Sequence, residues 1–331
     1  MALTLSLLMA MVLGASAHRA GLCTVRAVAE VLTTRRAHLL GSFLKASIWV
    51  AAALALAGLF GAAPEARHWP MGWGMLAGGL LFGVGAGLNG GCSFSTLARL
   101  AEGHLTMAAT VAGWVLGLLA LVGLRGMGLL PPSPAATLSS PAPVWSLLPL
   151  LPFVAWQALR IGRQLRAAGS LAAALRAPVW TLSFAVALLA VANAGIWLST
   201  GSWSFGSTLM CSTAALPCPA NAPLLWPITG AALAGMILSG ALRGSLRLRR
   251  LRPASALRHG TAGVIMGLGM GLVPGGNDGL ILFGLPALSP HALPAWLAML
   301  AGIAASLLAM RALGRPLVTI ACEADLCRAR L

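Results

Sequence analysis

The sequence predicts an all-α polytopic membrane protein, built as an inverted repeat with about nine transmembrane helices and short re-entrant or broken half-helices. Three observations predict it. Of the 331 residues, 59% are hydrophobic and 8% are charged, far below the roughly 25% charge that keeps a soluble surface wet. The mean hydropathy of +0.89 also excludes disorder, which requires low hydrophobicity. Finally, 22 basic residues stand against 6 acidic ones, a formal charge of +16. The arginines punctuate apolar runs, so this charge reads as a record of topology and not as a nucleic-acid surface.

Apolar stretches near the ~20 residues needed for one crossing fall roughly at 1–17, 46–63, 71–89, 105–130, 143–159, 178–200, 223–242, 260–274 and 291–313. The first ends in an A-x-A-like site but has no basic residue before Arg19, so it reads as a membrane helix and not as a signal peptide. Eighteen of the 22 basic residues lie in five segments: 35–45, Arg99, 160–176, 243–258 and 311–330. These alternate with poor segments at 64–70, 131–146, 216–223 and 286–290. Nine crossings with the N-terminus outside and the C-terminus cytoplasmic put every rich segment on the cytoplasmic side. Trp69, Trp73, Trp145 and Trp226 sit at expected span ends, as interfacial anchors do.

The second half resembles the first. Gly83, Gly85 and Gly87 align with Gly267, Gly269 and Gly271, and Gly90-Gly91-Cys92 with Gly275-Gly276-Asn277. Arginine-rich loops of one copy fall on arginine-poor loops of the other, the pattern of opposite topology. The expected division is a first repeat at 1–130 and an outer loop, connecting helix and basic cytoplasmic loop at 131–177. A second repeat at 178–313 and a cytoplasmic tail at 314–331 complete it. Inverted repeats with broken helices are a transporter architecture, with the site near the midplane where the copies meet.

Two cysteines follow glycine breaks: Gly21-Leu22-Cys23-Thr24 and Asn89-Gly90-Gly91-Cys92-Ser93. Each would open a half-helix whose free N–H groups favour an anion. A thiol there is a weak donor on a soft atom, suited to a sulfur-containing anion. Against this stands cysteine as a small hydrophobe in a tight bundle.

The G-L-C-T-V-R and N-G-G-C-S-F strings together with the duplication resemble the YeeE/YedE family of bacterial membrane proteins. The resemblance implies thiosulfate uptake along a narrow path of reduced cysteines, here Cys23 and Cys92. It also implies a third cysteine in the second glycine break, where this chain has Asn277 and Asp278 instead. Asn277 offers an amide donor in place of that thiol. Asp278 is ionisable at membrane depth and reads either as a helix cap or as a coupling group. Asn89, Gly91 and Gly276 complete the expected path, with Arg19 and Arg26 beside Cys23 as anion-attracting or snorkelling groups. His18 and His104 read as interfacial.

Three readings stay open for Cys211 and Cys218: a disulfide, a substitute thiol for the second repeat, or free and inert. Cys322 and Cys327 have C-x4-C spacing, half a zinc site at best, in an expected solvated tail. No P-loop, Ser-His-Asp set, metalloprotease motif or EF-hand loop is present, and Gly83-x-Gly85-x-Gly87 lacks the strand of a dinucleotide site. The expectation is therefore a non-enzymatic importer with no cofactor and no bound metal. Its partners would be a small sulfur anion and the lipid bilayer, with no nucleic acid. Whether a cytoplasmic sulfur-carrier protein docks below stays open, as does a second class, a membrane sulfur-transfer or redox protein using persulfide or disulfide intermediates.

Overall fold

A computed structural model describes residues 2–62, 64–139, 150–323 and 325–330. The first half runs α1 (Ala2–Ala20), α2 (Thr24–Thr34), α3 (His38–Leu59), α4 (Trp73–Asn89), α5 (Ser93–Ala101) and α6 (Thr106–Gly126). After α7 (Leu151–Ala167) and α8 (Leu171–Arg176) the order of lengths returns: α9 (Leu182–Thr200), α10 (Phe205–Ser212), α11 (Ala222–Arg243), α12 (Pro253–Leu272), α13 (Gly276–Gly279) with a π-helical turn at Leu280–Gly284, and α14 (Ala292–Ala312). Each half therefore reads long, short, long, long, short, long.

Among the described residues seven helices, two of them the broken runs Ala2–Thr34 and Trp73–Ala101, are long and apolar enough to cross a membrane. The bent pair Pro253–Leu272 and Gly276–Gly284, at 41°, makes an eighth. The chain is thus an all-α multi-pass membrane protein. The remaining expected span, 143–159, coincides only in part with α7. Its first part, with Trp145, lies outside the described residues. α7 has 17 residues and carries Arg160, Arg163 and Arg166, which shortens its apolar length.

The long helices of one half lie chiefly on those of the other: α1 on α9 and α11, α3 on α9, α4 on α12 and α14, and α6 on α12. Glycines allow this close approach. A Cβ at Gly83 would run into the Met299 carbonyl of α14, and one at Gly267 into the Trp114 carbonyl of α6. The repeated glycine triplets are therefore contact faces between helices. α1 joins in fully, since a Cβ at Gly14 would strike the Ala232 carbonyl of α11.

The loops gather at two ends. At one, His18 contacts Glu102 at 3.2 Å, Arg247 N–H donates to the Glu102 carbonyl, and Leu182 N–H donates to the Asp325 carbonyl. These bonds bring the segments richest in arginine together, so this is the basic end. At the other, β1 (Ala66–His68) pairs antiparallel with β2 (Thr137–Ser139), and Trp69 N–H donates to Ser289 Oγ at 3.1 Å.

The expected solvated tail is corrected here. Residues 319–330 form a hairpin, β3 (Thr319–Glu323) with β4 (Leu326–Arg330), closed by a Cys322–Cys327 disulfide. Ile320 is buried, Asp325 bonds Arg160 at 3.1 Å and Ser183 N–H at 2.8 Å, and β3 lies against α2. Alternation at Ile320 and Cys322 and the turn at Asp325, whose φ is 71°, explain why a short charged segment leaves solvent.

Candidate functional site

Four half-helices begin near one level of the bundle. Their N-caps are Cys23 for α2, Cys92 for α5, Ser204 for α10 and Gly275 for α13. The breaks need glycine: Gly275 and Gly276 have φ of 89° and 59°, values that a side chain adopts only under strain. Phe94 of α5 and Phe205 of α10 meet edge to face at 6.2 Å, joining the breaks of the two halves.

On the α2 and α5 side, Cys23 and Cys92 are free, fully buried and held near each other through Ser95 and Thr24. The Cys23 thiol donates to Ser95 Oγ at 3.2 Å, and Thr24 N–H donates to Cys92 Sγ at 3.4 Å. Neither cysteine side chain closes its helix's first turn as a hydroxyl would. Gly91 makes room for Ser95, because a Cβ there would meet Ser95 Oγ at 2.5 Å. Sequence reading missed Ser95 and Thr24. Their signal was a hydroxyl residue within one turn of each cysteine.

On the α10 and α13 side the chemistry is oxygen. Ser204 caps α10 reciprocally with Ser207, both bonds at 2.9 Å. Asp278, 1% exposed, accepts from Gly206 N–H at 3.2 Å and from Ser93 Oγ at 3.4 Å. It therefore sits at the N-terminus of α10 and not at the start of its own following helix, where sequence placed its capping role. Asn277 accepts from Thr24 Oγ1 at 3.2 Å, which ties the two sides together. Its Nδ2 is buried without a partner, a donor costing about 1–3 kcal/mol unless something accepts from it. Gly276, beside it, packs near Met270, whose Cγ would lie 3.2 Å from an added Cβ.

Other expected residues fall elsewhere. Asn89 lies two residues before Gly91, but its amide is saturated: Nδ2 donates to the Gly91 carbonyl and Thr96 Oγ1, and Oδ1 meets Thr110 and His259. It braces the break. Arg19 is buried on structural partners, Ser239 Oγ at 2.9 Å and the Ala177 carbonyl, with its guanidinium over Trp180. Arg26 folds back to the Gly21 carbonyl at 3.4 Å, and Arg99, unforeseen, donates to the Gly90 carbonyl at 2.9 Å. These two cations are the ones bonded to the break loops beside the thiols. His18 is no interfacial residue: it is buried between Ser239 and Glu102. Cys211 and Cys218 are disulfide-bonded to each other, so neither offers a thiol to the second repeat.

A cavity of about 520 Å³ reaches the oxygen side from the β1–β2 end. Arg67, Trp69, Trp203, Ser204, Ser207 and Gly275 are among its walls. Beyond it the thiols, Asn277 and Asp278 are all buried, so the passage is closed at their level. Among the described residues no grouping of metal ligands lies at the constriction.

No curated protein matches the chain. Residues 19–305 match the family model described as sulphur transport. The broken helices of the multi-pass bundle and this match over most of the chain agree: the protein belongs to the YeeE/YedE family of sulphur transport.

Proposed function

We propose that the chain imports thiosulfate or a closely related sulfur anion across a bacterial inner membrane, by transport and not by catalysis. The basic end would face the cytoplasm, with the N-terminus outside and the C-terminal hairpin inside, as the positive-inside rule requires. In this reading 1–130 and 178–313 are inverted repeats related across the four helix breaks. The anion enters the 520 Å³ cavity and passes to Cys23 and Cys92, accepting hydrogen bonds from their S–H groups and from Asn277 Nδ2. Arg26 and Arg99 draw it onward. Inward movement against a negative potential costs about 2.3 kcal/mol per charge per 100 mV, so intracellular consumption or a coupled cation must offset it.

The observation that supports this reading best is the buried, unpartnered Asn277 Nδ2 beside Thr24. It is a donor awaiting an acceptor next to two thiols at helix N-termini. Growth on thiosulfate as sole sulfur source, in cells lacking other sulfate and thiosulfate importers, tests it. Loss of one charge-assisted hydrogen bond, about 1.5–3 kcal/mol, predicts that Cys23→Ala and Cys92→Ala each slow uptake roughly tenfold to a hundredfold at equal expression. Wild-type growth of both variants sinks the thiol path. The adjacency of the two thiols favours one second reading, sulfur transfer through a persulfide: a thiolate attacks the outer sulfur of thiosulfate, the S–S bond breaks and sulfite leaves. Intact-protein mass spectra after thiosulfate exposure would then show an added sulfur atom on the wild type.

A further inference from the structure

The C-terminal hairpin brings Cys322 to Glu30 and His38 at one corner of the basic end, three metal-ligating side chains with Cys327 bonded to the first. Glu30, near the end of α2, is fully buried, and its Oε1 lies 3.1 Å from His38 Nδ1. Its Oε2 accepts from Leu39 N–H at 2.8 Å, which fixes the carboxylate plane. The Cys322 sulfur, a Glu30 oxygen and a His38 ring nitrogen all lie within 4.8 Å of one another. Cys327 faces Cys322 across the hairpin and is bonded to it.

We infer that the reduced hairpin, together with Glu30 and His38, forms a tetrahedral zinc site of two thiolates, one imidazole and one carboxylate. Two arguments carry this. The first is spacing: zinc bonds of about 2.0–2.2 Å to nitrogen and oxygen put tetrahedral ligand atoms roughly 3.3 Å apart. The 3.1 Å contact between Glu30 and His38 is already near that separation. The second is charge. Two thiolates, one carboxylate and Zn²⁺ leave one net negative charge, and Arg36 and Lys45 line the same surface depression as His38.

The chemistry balances simply. A dithiol reductant gives two electrons and two protons to the Cys322–Cys327 bond and leaves as its own disulfide. Zinc then displaces one proton from each thiol, while the His38 imidazole passes to its Nε2–H tautomer and coordinates through Nδ1. Disulfide and zinc are thus alternative closures of one hairpin against α2 and α3. In a reducing cytoplasm the metal form prevails, since thiols there are kept reduced. The site goes beyond the transport reading and rests only on its cytoplasmic placement of the hairpin, not on the transported anion.

The test uses the full chain in detergent, purified without a histidine tag, reduced with a phosphine, incubated with excess zinc and desalted. The expected content is about one zinc per chain, falling to background in Cys322→Ser, in Cys327→Ser and after diamide oxidation of the wild type. His38→Ala keeps both cysteines and weakens zinc binding by about tenfold or more, measured by competition with a metallochromic dye. Cobalt(II) in place of zinc should give intense tetrahedral d–d bands with a thiolate charge-transfer band. Size-exclusion profiles confirm that each variant is folded. Reduced wild type that holds no zinc, or a monodisperse Cys322→Ser that holds as much as wild type, overturns the site.

Discussion

The two sides of the constriction share a scaffold and differ in chemistry. On the α10 side the helix N-terminus is already satisfied: Ser204 caps it and Asp278 supplies a resident carboxylate. On the α2 and α5 side the N-caps are thiols that close no first turn, and the adjoining Asn277 amide has a spare donor. One side thus carries its own carboxylate, and in the proposed reading the other receives the substrate anion. A duplicated break becomes directional when only one copy neutralises its helix dipole.

Asn277→Ala breaks this contrast most sharply on the receiving side. It removes a donor worth about 1.5–3 kcal/mol toward an anion, so the apparent KM for uptake should rise roughly tenfold or more with expression unchanged. Asp278→Asn attacks the other side by deleting the resident charge and keeping its shape. The anion is then held more tightly, with an apparent KM lower by about fivefold, corresponding to ~1 kcal/mol, and slower release seen as a lower maximal rate. An unchanged KM would mean that the carboxylate plays no part in the asymmetry.

Ser204→Ala leaves the thiols alone and removes the cap of α10. It should cost about 1 kcal/mol, or roughly 2–4 °C in thermal midpoint, with little change in KM. The smallest effect lies away from both sides. His18 holds the Glu102 carboxylate down to about 2 from its usual 4.5, the leading cause being their hydrogen bond. A depressed carboxylate stabilises the fold above its unfolded value, and that stability is lost as pH falls from about 4.5 through about 2. Glu102→Gln should lower the thermal midpoint by roughly 2 °C at neutral pH, leave it unchanged near pH 2, and so flatten the acid limb of the profile.

Much of this arrangement is legible in the chain as written. Apolar runs mark the long helices, glycine breaks mark the half-helices, and the cysteines after them mark the receiving side. What is not legible depends on partners distant in sequence. Asn89 looks like a path residue until His259, 170 positions away, occupies its oxygen. Asp278 caps α10 through Gly206, 72 positions earlier, and not the helix that follows it. The hairpin at 319–330 carries too little apolar sequence to predict burial, and only α2 and Asp325's contacts with Arg160 and Ser183 explain it. Arg19 looks free beside Cys23, but its donors belong to Ser239 and the Ala177 carbonyl.

The interleaving of the halves also bears on how the molecule can turn over. Alternating access by rocking needs two bodies with a face along which one slides past the other. Here α4 is wedged between α12 and α14, and α12 between α4 and α6, at separations where glycine carbons meet carbonyl groups. Such packing leaves no slip plane within that group of long helices, but the group meets α1, α3, α9 and α11 chiefly through the short half-helices. Movement is therefore expected between the two groups, with the half-helices and their breaks at the seam. Preloading the far side with unlabelled substrate should then give trans-stimulation of labelled uptake.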